Sequence, residues 1–446
     1  MTGEGSRGSA RPHRLVAHAQ GSAFIRDVAT LFTGTSISQL LPLLAAPVLS
    51  RVYTPDHFGE LGLLMAALAI LNNASSLQYA AAIMLPTEEE DAVSILGLST
   101  AIVVFFTVLS VGFLLAVGDP FAAALGIGQL DAWRVVLPAL VLSAGLFNTI
   151  VIWEGRRKNF RRIAIAQVSQ SVTQLTTRIG LAFAGFLNTG LLWGTLAGQL
   201  VSAALLAARQ RPAFAAARVG GFWRRARRNA APYDEFPRYT LWQGLFTVLS
   251  LHGVVFVLGA FYGITVVGFY AFAMTVLAKP TRLIGSAVAQ VFYQRAAQQD
   301  TEGESIEPLT KQSIFYMGLL GLAIYVPLLF ASRPVFVFVF GEMWADAGTV
   351  AQIMAPVFFS AFVSATHHRV AIVKRRQRAF MFVTIGQNMI LPLAIFISGM
   401  LGYPYELGLT CASLLIIAYT AYATWWILRL SKTSAGSALS SQERVR

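Results

Sequence analysis

The sequence has 446 residues, with 34 Lys and Arg against 21 Asp and Glu, a formal net charge of +13. Its hydrophobic fraction is 56% and its charged fraction only 12%, about half the ~25% of a soluble domain. This excludes a soluble fold and a disordered tail protein, and the single cysteine, Cys411, excludes a disulfide within the chain and a thiolate metal site.

At about 20 residues per spanning helix, this length allows roughly 12 spans. The first 25 residues are polar and basic, with Arg7, Arg11, His13, Arg14 and His18. They lack the short apolar core and small-residue cleavage site of a signal peptide. The first apolar stretch begins near Val28 and is expected to stay as the first transmembrane helix.

Twelve apolar stretches follow, near 28–50, 58–84, 92–117, 133–154, 163–186, 190–208, 238–262, 264–292, 312–331, 349–371, 379–401 and 405–428. Runs of this length read as helices, which satisfy their own backbone in lipid; a barrel would show alternating strands of about ten residues. Pro42 and Pro47 in the first stretch and Pro280 in the eighth predict kinks, either hinges or fixed bends. Gly263 alone separates spans seven and eight.

Connections after even-numbered spans are on one side with the two termini. They include Gly155-Arg-Arg-Lys-Asn-Phe-Arg-Arg162 on the trend of basic turns, Lys374-Arg-Arg-Gln-Arg378, and the seven arginines of 209–237. The opposite side carries about three basic residues, Arg51, Arg134 and Arg333. The positive-inside rule then predicts cytoplasmic termini. The same asymmetry accounts for the net charge, so no nucleic-acid partner is expected. Thr87-Glu-Glu-Glu-Asp91 is an acidic exception, and acidic residues count little in the rule.

The expected layout is a cytoplasmic tail over 1–27, a six-helix bundle over 28–208, a basic cytoplasmic linker over 209–237, a second six-helix bundle over 238–428 and a cytoplasmic tail over 429–446. Phe222-Trp-Arg-Arg225 in the linker reads either as a solvated basic segment touching anionic lipid or as a short amphipathic surface helix. The halves echo each other. Tyr53 precedes Gly59 by six residues and Tyr262 precedes Gly268 by six; Asp119-Pro120 before Gly126 resembles Arg333-Pro334 before Gly341. Two like-oriented halves of six spans are a common way to build a central cavity.

Charges at membrane depth usually face a cavity or pathway. Three are found, all basic: Arg178 in span five, and Lys279 and Arg282 in span eight. Gln167, Gln170, Gln174 and Arg178 fall on one helical face, as do Lys279, Arg282, Ser286 and Gln290. Gln243, Thr247 and Ser250 in span seven, Asn72, Asn73 and Gln78 in span two, and Gln387 and Asn388 in span eleven add polar groups. The alternative for each Gln, Ser or Asn is hydrogen bonding between helices; for the long cations it is snorkelling to the interface. No Asp or Glu lies mid-span, with Glu60 and Glu154 at span ends. Cations without acidic partners point to an anionic guest or an aqueous cavity. His252 is read either as a structural histidine or as a proton carrier; His367 and His368 lie near the inner end of span ten. No phosphate-binding glycine loop, His-Glu-x-x-His or Cys-x-x-Cys occurs. The connections on the sparsely charged side are short, the longest about 15 residues near 118–132. No enzymatic activity, cofactor or metal is therefore expected.

Several segments together resemble a known family. Arg51-Val-Tyr-Thr-Pro-Asp-His-Phe-Gly-Glu-Leu-Gly62 resembles the first outer turn of Wzx-type O-antigen and exopolysaccharide flippases of the MOP (multidrug/oligosaccharidyl-lipid/polysaccharide) exporter superfamily. Tyr233-Asp-Glu-Phe-Pro-Arg-Tyr239, Gly268-Phe-Tyr-Ala-Phe-Ala273 with Lys279-Pro280 and Ile284–Phe292, and Phe340-Gly-Glu-Met-Trp-Ala-Asp-Ala-Gly348 resemble later parts of that family. The resemblance implies an all-α integral membrane protein of about twelve transmembrane helices in two six-helix bundles, MOP/MATE-like, in a bacterial inner membrane. It also implies an undecaprenyl-diphosphate-linked oligosaccharide flipped from the cytoplasmic to the outer leaflet for cell-surface polysaccharide biosynthesis. Expected partners are this lipid, membrane lipids, a coupling proton or sodium ion, and polysaccharide synthesis proteins. On this reading Arg178, Lys279 and Arg282 attract the anionic headgroup, while Gln170, Gln174, Asn73 and Gln243 bond sugar hydroxyls. The alternatives are a drug/cation antiporter of the same superfamily, disfavoured by the missing mid-span acids, and a non-transporting scaffold of a glycan synthesis complex.

Overall fold

The computed structural model describes residues 33–208, 210 and 222–432. Its helices are α1 (33–52), α2 (Pro55–Ala74), α3 (Glu89–Leu125), α4 (Leu130–Arg156), α5 (Phe160–Phe183) and α6 (Leu187–Ala207). The second half follows with α7 (Leu241–Tyr262), α8 (Ile264–Thr301), α9 (Glu307–Phe340), α10 (Ala345–Val373), α11 (Gln377–Met400) and α12 (Tyr405–Ser431). Two of these are interrupted: α8 by a π-helical turn over Thr281–Gly285, and α10 by a 3-10 turn over Ser364–Thr366. The protein is a multi-pass membrane protein, all-α, with its spans in two six-helix bundles. Among the described residues nine helices are long and apolar enough to cross a membrane; α1, α2 and α5 fall short by that measure. α5 carries Arg161, Arg162, Arg178 and three glutamines, and α2 has polar residues at both ends. Helices whose polar faces pack inside a bundle need less lipid-facing apolar surface.

Helix ends explain where sequence expectation and structure part. The turn expected near 118–132 is only 126–129, because α3 continues through Gly118-Asp119-Pro120 to Leu125. Ala122 and Leu125 are buried there, Phe121 meets the rings of Phe113 and Phe256, and Asp119 pairs with Arg134 at 3.1 Å. That packing offsets the proline. α9 likewise runs through Pro327 and Pro334, well past the expected 312–331. α1 is continuous across Pro42 and Pro47. The tail before residue 33, part of the basic linker and the tail after 432 lie outside the described residues, including Arg209, Arg211 and Arg218.

The repeat read from the sequence is visible in the packing. In the first bundle α3 packs on α4, α4 on α6 and α5 on α6; in the second, α9 packs on α10, α10 on α12 and α11 on α12. α3 and α9 both end on glycines with positive φ, Gly126 at +68° and Gly341 at +105°, where a side chain would be strained. Tyr53 and Tyr262 each donate to a backbone carbonyl, of Arg178 (2.7 Å) and of Tyr403 (2.9 Å), near the same end of α5 and of α11.

The bundles join mainly where α2 meets α7 and α8. At the end away from the basic connections, Phe58 of α2 stands edge-on to Phe272 of α8 and Trp344 before α10, each at 5.1 Å. Trp344 donates to Ser50 O of α1 (2.8 Å), and Ser50 Oγ donates to Phe340 O of α9 (3.2 Å). These contacts close that end. At the basic end the helix Phe222–Ala230 lies against α3. Phe222 and Ala226 are buried while its arginines face out; Arg225 pairs with Glu90 (3.0 Å), and Asn229 donates to Asp91 Oδ1 (2.6 Å). The acidic turn is thus the first turn of α3, where carboxylates suit the helix dipole. The linker segment is a helix docked on protein through its apolar face.

Candidate functional site

The polar residues singled out in the sequence fall into three groups. The first is the seam between α5 and α6. Gln170 Nε2 donates to Gln199 Oε1 (2.6 Å), Gln174 Nε2 to Thr195 Oγ1 (3.5 Å) and Arg178 Nη2 to Thr195 Oγ1 (2.8 Å). Gln167 accepts from Thr35 of α1 at 2.9 Å. The helices come this close because Gly190, Gly194 and Gly198 form a ridge on α6. A methyl at Gly190 would overlap the Tyr53 hydroxyl, one at Gly194 the Arg178 side chain, and one at Gly198 would stand 2.6 Å from Gln170 O. Small residues four apart let helices approach in a membrane, and this spacing is the signal by which the seam could have been read from the sequence. Arg178 is 7% exposed, and its Nε has no hydrogen-bond partner. Gln387 of α11 bonds Thr420 of α12 (2.9 Å), the counterpart seam in the second bundle.

The second group lies between the bundles. Asn73 near the end of α2 touches Gly244 of α7: a methyl at Gly244 would stand 2.7 Å from Asn73 Nδ2. Gln78 Nε2 donates to Asn73 O (2.9 Å), and Asn73 Oδ1 is buried without a partner. Leu77 and Gln78 have φ of +47° and +62°, a conformation that is uncommon outside glycine and marks a locally constrained turn. Gln243 is exposed beside Gly244 on α7. Thr247 and Ser250 bond carbonyls four residues back in their own helix, so they are already satisfied locally.

The third group is cationic. Lys279 is half-buried and Arg282 exposed, three residues apart on α8, and α7, which carries His252, packs against that helix. Neither Lys279 nor Arg282 has a carboxylate partner among the described residues. The backbone here is irregular for a clear reason. Pro280 has no N–H, and the π turn follows it directly. Tyr325 of α9 compensates: its hydroxyl bonds Thr281 Oγ1 (2.8 Å) and donates to Leu277 O (3.2 Å). Irregular backbone at membrane depth is tolerated where protein groups satisfy it.

The structure therefore sets Lys279 and Arg282 on a helix that packs against α7, the helix of His252, sets Asn73 beside Gln243's neighbour at the bundle interface, and packs Arg178, Gln170 and Gln174 in a different seam. Thr195, Gln199 and the glycine ridge of α6 were not singled out in the sequence. Each Asp and Glu of the described helices lies within about two turns of a helix end. Glu60 accepts from the Gly128 amide (2.8 Å) at the closed end, and Glu154 is held by Gln210 and by Arg162 (3.4 Å). No group of three His, Cys, Asp or Glu among the described residues could hold a metal ion.

Residues 48–349, which include all seven candidate residues, match the model of a family described as polysaccharide biosynthesis protein. A relative is the succinoglycan biosynthesis transport protein ExoT of Rhizobium meliloti (strain 1021), 22% identical over 329 residues. The match covers 71% of this chain and 62% of that relative. Among solved structures, the chain is similar to lipid II flippase MurJ in an inward closed conformation, with a TM-score of 0.69, 12% identity and 90% of each chain covered. It is also similar to an inward-facing multidrug resistance MATE family transporter of the MOP superfamily, with a TM-score of 0.67, 14% identity, and 91% of this chain and 96% of that one covered. At these identities the structural likeness shows a shared fold. The chain belongs to the polysaccharide biosynthesis protein family and has the fold of the MOP exporters.

Proposed function

We propose that this protein is a membrane translocase that flips an undecaprenyl-diphosphate-linked oligosaccharide from the cytoplasmic to the outer leaflet of a bacterial inner membrane. The observation that carries the reading is the pair of cations Lys279 and Arg282, three residues apart on α8. Two cations sit at membrane depth with no carboxylate partner among the described residues, on a helix that also forms the bundle interface. Unpaired cations in low dielectric are costly, and a diphosphate would offset that cost. A cationic drug would meet charge of its own sign.

In this account Lys279 and Arg282 receive the diphosphate, and Gln243 and Asn73 offer hydrogen bonds to sugar hydroxyls. Arg178, Gln170 and Gln174 contribute positive field and rigidity from the α5/α6 seam. Basic connections and both termini face the cytoplasm, so the contacts among Phe58, Phe272 and Trp344 close the outer side. Alternating access then exchanges that closure for one at the basic end. An inside-negative potential favours outward movement of anionic charge by about 2.3 kcal/mol per charge per 100 mV; a proton or sodium ion could couple as well.

The test is depletion of the chain, followed by exposure of spheroplasts to an impermeant glycan-modifying enzyme. Lipid-linked oligosaccharide that accumulates protected from the enzyme supports the reading. Normal exposure rejects it and favours the drug/cation antiporter, for which dye efflux is the direct assay. A non-transporting scaffold predicts that export fails on deletion yet survives neutralisation of Arg178, Lys279 and Arg282 together.

A further inference from the structure

Below its π turn, α8 parts from α9 and leaves a cavity of about 490 Å³, within the range of small-ligand pockets. Val288, Val291 and Phe292 line it from α8; Met317, Tyr316 and Leu320 line it from α9. The gap is bounded above by the Tyr325–Thr281 bond and below by the turn at Gly303 that joins the two helices. Its back wall is firm: Phe292 is 3% and Met317 2% exposed, and Ser313 of the lining bonds Thr366 in the break of α10 (3.5 Å). Its outer lip is open, with Val291 53%, Tyr316 57% and Leu320 41% exposed. In a spanning helix pair such a lip faces lipid.

The polar lining is confined to a few groups. Arg295 stands one helical turn beyond Val291 toward the basic end, and Gln312 and Ser313 are on α9; among the described residues no carboxylate lines the cavity. An apolar slot with a cation at its interfacial end suits an amphipathic anion, a hydrocarbon chain with a phosphate head. The position on α8 narrows the choice. Arg282, Ser286 and Gln290 form an exposed polar stripe, while Ala287, Val291 and Arg295 form the cavity stripe. The stripes are each displaced by one residue, about 100° around the helix. The slot therefore lies about a quarter-turn around the same helix from a head held on the first stripe.

We infer that the α8/α9 cavity seats the isoprenoid tail of the phosphate-headed carrier lipid, with Arg295 at its entrance. This rests on the proposed function and adds to it the place where the hydrocarbon chain is held while the head crosses.

The test uses the full chain in proteoliposomes containing a polyprenyl-diphosphate oligosaccharide, with two readouts: flipping, and crosslinking of a photoactivatable polyprenyl phosphate. Val291→Trp fills the slot and Arg295→Gln removes the charge; Leu414→Trp, at an exposed position of α12, is the control. The expected result is about a tenfold loss of prenyl-lipid crosslinking and of flipping for Val291→Trp. Arg295→Gln should give a smaller loss, and Leu414→Trp none. Flipping and crosslinking unchanged in Val291→Trp overturn this site while leaving the translocase reading intact. Equal protection of the crosslink by excess phosphatidylglycerol overturns it too, since the slot would then hold bulk lipid. Wild-type protein that flips nothing removes the functional reading and this inference with it.

Discussion

Gly59 of α2 and Gly268 of α8 seat each other's helices reciprocally. A methyl at Gly59 would overlap the carbonyl oxygen of Ile264, and one at Gly268 would overlap that of Pro55 and stand 3.1 Å from the Gly59 amide nitrogen. Pro55 precedes Gly59 by four residues and Ile264 precedes Gly268 by four. The two halves thus meet at one crossing in matching register. Gly59→Ala and Gly268→Ala should each destabilise the folded protein by about 1–3 kcal/mol, because backbone must move to admit the methyl. Denaturant unfolding of the purified protein measures this; full stability in both variants would contradict the crossing.

The seam around Arg178 gives a second expectation. Its guanidinium bonds Thr195 Oγ1, and among the described residues no carboxylate pairs with it. Thr195→Val leaves buried donors unmatched and should cost about 1–3 kcal/mol. Adding Arg178→Met removes the charge that needed the partner, so the double variant should lose less than the sum of the singles. An unfolding double-mutant cycle reads the coupling; strict additivity would show that the bond carries little.

For the helix Phe222–Ala230, magnitudes decide between charge and packing. The Arg225–Glu90 pair has side chains 48% and 84% exposed, a setting in which an ion pair contributes about 0–1 kcal/mol. Phe222 is 8% exposed and packs over Gly97, and truncating a buried Phe costs about 3–5 kcal/mol. Phe222→Ala should therefore speed protease cleavage in this helix much more than Arg225→Ala. Equal cleavage rates would mean that charge holds it.

Much of the fold is legible in the sequence because apolar length and the side of basic residues survive any packing detail. The echo of Tyr53–Gly59 in Tyr262–Gly268 is also local, and it marks a real crossing. Helix ends are less legible. Gly118-Asp119-Pro120 has the chemistry of a turn, and only the burial of Ala122 and Leu125 carries α3 onward. The turn Ser364–Thr366 has no breaker residue, and the π turn after Pro280 differs from a simple kink only through Tyr325, 44 residues away. Within the candidate site, Lys279 and Arg282 are neighbours by spacing alone. That the helix of His252 packs on theirs is a tertiary fact that no local spacing carries. The α5/α6 seam is hidden for another reason: half of it is made by glycines, which add no polarity to a helical stripe.

Translocation itself is read by a flipping assay with the purified chain in proteoliposomes carrying a polyprenyl-diphosphate oligosaccharide, followed with an impermeant glycan-modifying enzyme. Wild-type protein should expose the lipid on the far leaflet, and Lys279→Gln with Arg282→Gln should lower the rate by about tenfold or more, near 1.4 kcal/mol in barrier, at unchanged thermal stability. Undiminished flipping by that double variant would contradict it.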